Sequence, residues 1–234
     1  KHKPVILELS SFQLHNLDTI KTGPRIAVWT NFYPDHLNKY PTLADYRKDK
    51  EKIFKYQKKG DVAVLNWDLP PFGHSDRSDL PMAIGRSRSG RIPCASILWF
   101  SLRQPVKNGA FIKNNWFVFS QNGRLTKVAP VSATKLLGGH NQANILAAIC
   151  AARAYGVRWP AIRAAIRRFK GVPNRLEMIE CHPELVSGSR HLTFVNDCAA
   201  TSPEAAMAAL KTFPAQKIIL ISGGNSKGSS LHEL

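Results

Sequence analysis

The chain has 234 residues, 44% hydrophobic and 21% charged, the balance of an ordinary soluble globular protein with enough length for one large core or two modest ones. No apolar run approaches the roughly 20 residues of a membrane span, and no signal peptide opens the sequence, so a cytoplasmic protein without a membrane partner is expected. A net charge of +17 is the abnormal quantity; it suits a nucleic-acid binder and equally an enzyme with polyanionic nucleotide substrates.

Residues 4–9, Pro-Val-Ile-Leu-Glu-Leu, read as a buried strand already under way, as in a piece of a longer protein. Glu8 interrupts that run near its carboxyl end, where the carboxylate either is exposed at a strand edge or, if buried, needs a cation or hydrogen bonds, and Ser10, Ser11 and Gln13 add a polar cluster. A second short apolar run, residues 26–29, also reads as a buried strand, and residues 31–34 break it. Asp35 and His36 follow the break, just past a strand's carboxyl end, where open α/β sheets gather their ligand-binding groups. Thr42 and Asp45 make a capping box for a helix whose apolar positions are Leu43, Tyr46, Ile53 and Phe54. Lys50 falls on the same face, so its ammonium either snorkels outward or meets something buried; a desolvated amine is also nucleophilic enough to take up carbon dioxide as a carbamate. His36 alone is read either as a structural histidine or as a ligand.

Residues 61–66 read as another short strand, and the aperiodic residues 67–92 as loops or weak strands. Residues 97–102 and 110–120 are expected to be strands of a small β layer, with Asn114-Asn115 as a hairpin turn. Gly138-Gly-His-Asn-Gln-Ala-Asn144 opens a strong helix that Gly156 stops. Asn141 is its expected N-cap, and the helix start also offers free N–H groups to a ligand. Pro160 begins a second helix with Ile162, Ala165, Ile166 and Phe169 on its apolar stripe, and residues 171–174 mark the expected domain boundary. Beyond it, residues 175–181 and 191–195 read as paired strands, Ser202 and Pro203 start a helix, and residues 217–222 form a strand. That alternation favours a parallel sheet. The Gly223-Gly-Asn-Ser-Lys-Gly228 turn lacks the order of a P-loop and reads either as a plain tight turn or as one whose backbone N–H groups hold an anion. Cys94, Cys150, Cys181 and Cys198 lack C-x-x-C spacing, so neither zinc nor a disulfide framework is suggested.

Five stretches taken together resemble the Mur ligases, most closely their D-glutamate-adding branch. They are Leu-Glu-Leu-Ser-Ser-Phe-Gln-Leu at 7–14, Asn-Phe-Tyr-Pro-Asp-His-Leu at 31–37 with Lys50 downstream, Gly-His-Asn-Gln-Ala-Asn at 139–144, Phe-Lys-Gly-Val-Pro-Asn-Arg-Leu-Glu at 169–177, and Asn-Asp-Cys-Ala-Ala-Thr at 196–201 with the glycine turn at 223–228. The resemblance implies an α/β fold: a central ATP-binding domain over residues 1–171, mostly parallel sheet flanked by helices, then the start of a Rossmann-like domain over 172–234. It implies Glu8, His36 and Lys50 as magnesium ligands, with His36 and a carbamylated Lys50 as the catalytic pair. It further implies Asn141, Asn144, Arg175 and Asp197 at ATP, and Ser10, Gln13, Asp35, Thr201 and Lys227 along the other substrates. The implied reaction is ATP-driven amide formation by a monomeric ligase on UDP-N-acetylmuramoyl-L-alanine and D-glutamate, in peptidoglycan precursor synthesis. Three departures stand against the pattern: the family's P-loop is expected upstream of residue 1, Cys198 and Ala199 replace a serine and a lysine, and the loop at 181–190 is long. An inactive relative of the same fold and, on charge alone, a basic nucleic-acid-binding module are the alternatives.

Overall fold

The computed structural model describes residues 3–34, 36, 39–69, 96–179, 193–214 and 217–223. Two short helices, α1 (Ser11–His15) and α2 (Leu17–Ile20), lead into strand β1 (Ile26–Trp29) and helix α3 (Leu43–Lys55). Strands β2 (Val62–Asn66), β3 (Ser96–Ser101), β4 (Gly109–Lys113), β5 (Trp116–Gln121) and β6 (Arg124–Pro130) follow. Helices α4 (Gly139–Tyr155) and α5 (Trp159–Arg168) come next, and strands β7 (Glu177–Ile179) and β8 (Phe194–Asn196) with helix α6 (Pro203–Leu210) complete the described elements.

The six strands β1 to β6 form one sheet in sequence order. Neighbours from β1 to β4 run parallel, whereas β4–β5 and β5–β6 run antiparallel. The expected small β layer is therefore the antiparallel end of the main sheet rather than a separate unit. Its two hairpins are set by their turns: Asn114-Asn115 and Asn122-Gly123 all have positive φ, the backbone that a two-residue turn matched to strand twist requires. The Asn114-Asn115 turn agrees with expectation, while β6 is an additional strand.

Period-two alternation in the strands divides the core into two layers. On one face Val64, Phe100, Ala110 and Phe117 pack against Leu146, Ile149 and Cys150 of α4 and Ile162 and Ile166 of α5. On the other, Ala27, Trp29, Ala63 and Leu65 pack with Phe54 of α3. Burial pushes the Cys150 thiol up to about 12, so it is an inert core side chain. The α5 stripe is narrower than expected, because Ala165 and Phe169 are exposed.

Two expected strands do not form. Residues 4–9 lack regular structure and Ile6 is 93% exposed; residues 217–222 are likewise irregular, with Ile221 94% exposed. A β-strand needs a neighbour for its backbone groups, and among the described residues none lies beside either run. The parallel sheet expected after residue 172 is also not present among the described residues, where β7 and β8 pair antiparallel.

Candidate active site

The site region starts at the carboxyl ends of the parallel strands, where the chain must turn without leaving polar groups unpaired. Trp29 Nε1 donates to the Asn31 carbonyl at 2.9 Å, fixing the exit from β1. Asn66, buried at the end of β2, donates to the Thr30 carbonyl at 2.9 Å and accepts from the Asp68 N–H. Asp68 in turn accepts from Ser101 Oγ at 2.6 Å and from the Leu102 N–H at 2.7 Å. Asn66 and Asp68 thus tie three strand ends together. The sequence reading passed over both, although a polar residue closing an apolar strand was the available signal.

The chain then reaches His36, whose φ of 59° places it in the left-handed region. Its ring meets Phe12 edge-on at 5.3 Å and Tyr46 at 5.8 Å. Tyr46 is buried on α3, held between Phe32, stacked at 5.3 Å, and Tyr40 at 5.2 Å. Lys50, one turn further along α3, places its Nζ 5.2 Å from the centre of the same Tyr46 ring. The half-buried Lys50 therefore meets an aromatic face, a contact that favours a cation. His36 and Lys50, fourteen residues apart, converge on one side chain.

Thr42 caps α3 as expected, accepting from the Asp45 N–H at 3.1 Å. The opposite edge of α3 carries a charge network that the sequence reading did not find. Asp49 accepts from Lys52 at 2.8 Å, His15 Nδ1 at 3.0 Å and the Tyr40 hydroxyl at 3.1 Å. Burial pulls the Asp49 carboxyl upward, but the Lys52, His15 and Tyr40 hydrogen bonds outweigh it and hold the group below the usual carboxylate range. Asp18 of α2 accepts from Lys55, Tyr56 and Lys52, which hold its carboxyl far below that range.

Other expected site residues fall differently. Glu8 is exposed and, among the described residues, has no hydrogen-bond or ion-pair partner. Ser10 and Gln13 form the capping box of α1, with the Ser10 N–H donating to Gln13 Oε1 at 2.8 Å. Asp35 and Lys227 lie outside the described residues, and Thr201 is exposed ahead of α6. No cluster of three His, Cys, Asp or Glu able to hold a metal ion forms among the described residues. As an ammonium Lys50 offers no ligand atom, so the described donors do not fit magnesium, which takes hard oxygen ligands, unless that amine becomes an oxygen donor.

A second group of expected residues gathers at the start of α4. Its N-cap is Gly138, not Asn141; Asn141 lies within the first turn and donates to the Leu137 carbonyl at 2.7 Å. Capping failed as a reading because Gly138, with φ of 86°, turns the chain three residues earlier. Asn144 lies one turn on, its Nδ2 3.4 Å from Asn141 Oδ1. A Cβ on Gly138 would come within 2.6 Å of Thr212 Oγ1 and 2.7 Å of His140 Cε1, so α4 begins in close contact with the segment after α6. Asp197 accepts from the Leu176 N–H at 3.0 Å, and Arg175 beside it is exposed. Burial lowers the pKa of the half-buried His140; Asp197 opposes that shift and Arg175 adds to it, so both charges act on the helix start.

Comparison with known proteins bears on the family and the fold. Residues 1–152 match the Mur ligase middle domain. The UDP-N-acetylmuramoylalanine--D-glutamate ligase of Pelotomaculum thermopropionicum is 36% identical over 229 residues, covering 98% of this chain and 45% of that protein. The enzyme of the same name from Roseiflexus sp. is 38% identical over 230 residues, again 45% of its length. The chain thus spans about half the length of the curated relatives it matches. Among solved structures, a UDP-N-acetylmuramoyl-L-alanyl-D-glutamate--2,6-diaminopimelate ligase superposes with a TM-score of 0.56 at 26% identity, covering 88% of this chain and 38% of that one. MurF ligase from Thermotoga maritima, in complex with ADP, shares the fold with a TM-score of 0.55 at 20% identity, covering 88% of this chain and 43% of that one. A mostly parallel sheet clasped by helices, with the middle-domain match running from residue 1 through β1, α3 and most of α4, makes this chain a member of the Mur ligase family.

Proposed function

We infer that the chain is part of a cytoplasmic, ATP-dependent ligase that adds D-glutamate to UDP-N-acetylmuramoyl-L-alanine in peptidoglycan precursor synthesis. The observation that carries this is the similarity, through nearly the whole chain, to ligases named for that reaction. His36 and Lys50 also converge on Tyr46 after β1, in the part of an α/β sheet where ligand-binding groups gather, although the ring contact of Lys50 favours its ammonium form over a carbamate.

The chemistry divides into two displacements. An alanyl carboxylate oxygen attacks the γ-phosphorus of ATP and ADP leaves, giving an acyl phosphate; the amine of D-glutamate then attacks the carbonyl carbon, loses a proton, and phosphate leaves. Both steps bring anions together, so fixed positive charge around the phosphates is the main requirement on the protein. Magnesium enters this reading only through a modified Lys50, which as a carbamate would supply oxygen donors beside Glu8 and His36. Asn141 and Asn144 are assigned to the adenine side and Arg175 and Asp197 to the ATP side of the following domain. Ser10, Gln13 and Asp35 are assigned to the UDP-sugar, and Thr201 and Lys227 to D-glutamate. Residues from two domains meet the reactants only when the domains close, a step common among ligand-clasping enzymes.

The test belongs in the protein extended to the length of its relatives. Lys50→Ala is expected to abolish ligation, and added bicarbonate is expected not to restore it. Labelled bicarbonate should be taken up by the parent protein and not by the variant. Substrate-dependent phosphate release at the parental rate in Lys50→Ala would remove Lys50 from the reaction.

A further inference from the structure

We propose that the antiparallel end of the sheet carries a second, separate site that binds a phosphate-sized oxyanion. A cavity of about 250 Å³ lies there, lined by Phe119, Gln121, Arg124, Thr126, Arg153 and Trp159. Its construction follows from register. Phe119 pairs with Thr126 and Gln121 with Arg124, so the four side chains project from one face of the β5–β6 hairpin. Arg153 from the last turn of α4 and Trp159 from the first turn of α5 close it from above.

Arg153 is fixed on two sides. Its guanidinium carbon lies 4.4 Å from the Trp159 ring centre, and Nη1 donates to the Val157 carbonyl at 2.6 Å. Its buried Nε has no hydrogen-bond partner among the described residues. A buried N–H on a cationic group needs an acceptor, and the cavity beside it offers none of its own charge: no Asp or Glu occurs between Asp79 and Glu177. The polar lining consists of two guanidinium groups, an amide and a hydroxyl, which together suit a compact anion with several acceptor oxygens. The volume leaves ample room for such a group. None of these residues belongs to the site around Tyr46 or to the start of α4, so the proposal stands apart from the ligase reading.

Inorganic phosphate is the probe, titrated calorimetrically into the chain at physiological salt. Saturable binding with one phosphate per chain is expected, accompanied by a rise in Tm. Arg124→Gln removes an exposed cation of the cavity and should weaken binding about tenfold, the loss of one charge-assisted hydrogen bond. Lys113→Gln, at the far end of the same antiparallel region, deletes the same charge and should leave binding within about twofold, as expected of screened surface charge. Thr126→Val, which keeps the shape and removes the hydroxyl, should weaken binding without lowering the Tm of the phosphate-free chain. Equal losses in Arg124→Gln and Lys113→Gln would reduce the effect to bulk charge and overturn the proposal. So would the absence of saturation, or adsorption to phosphatidylglycerol vesicles with no response to free phosphate.

Discussion

At the scale of single residues, the environment of a side chain decides what its type can do. Lys50 and Lys52 lie two positions apart on one helix, yet Lys52 is spent on Asp49 and Asp18 whereas Lys50 is carried to the Tyr46 ring. Sequence spacing placed Lys50 on the apolar face correctly, because a residue four positions from Tyr46 and four from Phe54 has nowhere else to point. It could not place Asp49, whose partners His15 and Tyr40 arrive from other segments to join Lys52 of its own helix. Gly138 offers the sharpest test at this scale. Gly138→Ala would need a left-handed backbone and would press a methyl group on Thr212 and His140. A loss of about 1–3 kcal/mol in urea-unfolding stability is expected. An unchanged midpoint would mean that the segment after α6 does not rest on the start of α4.

At the scale of elements, α1 and α2 are too short to persist alone and are held on α3 by charge. Because the Asp18 carboxyl is held low by its hydrogen bonds from Lys55, Tyr56 and Lys52, its contribution is complete above the unfolded carboxylate range and is lost as pH falls through the lowered folded value. Asp49 acts in the same direction. Stability is therefore expected to fall on acidification below about pH 4, the ordinary aspartate value. Asp18→Asn should flatten that part of the profile, measured as Tm against pH, and a parallel profile in the variant would show that other groups govern acid unfolding. The elements legible in advance were those whose signals are local: the Thr42 cap of α3, the Asn114-Asn115 turn, the Gly156 stop and the Ser202-Pro203 start of α6. Those misread, residues 4–9 and 217–222, have strand composition but depend on a neighbour, which no local pattern encodes.

At the scale of the whole molecule, the sheet is a gradient of protection. Its middle strands are covered by α3 on one face and by α4 with α5 on the other, while β1 ends the order on one side. The family resemblance, carried by short motifs, named His36, Lys50 and the α4 start as candidate site positions, but not the meeting of His36 and Lys50 on Tyr46. It gave no hint of the Asn66–Asp68 tie or of the arginine cavity, because both are assembled from residues that only strand register brings together. Fold was legible through periodicity; candidate site residues were named only where a motif happened to include them.

The bare aliphatic ribbons at 5–7 and 218–221 bear on how this polypeptide behaves in a tube. Val5, Ile6 and Ile221 offer greasy surface to any passing copy, and among the described residues no strand lies beyond β1. Solutions of the chain alone are expected to clump as concentration rises, visible as growing light scattering, and to do so more at high salt, when the repulsion between cations fades.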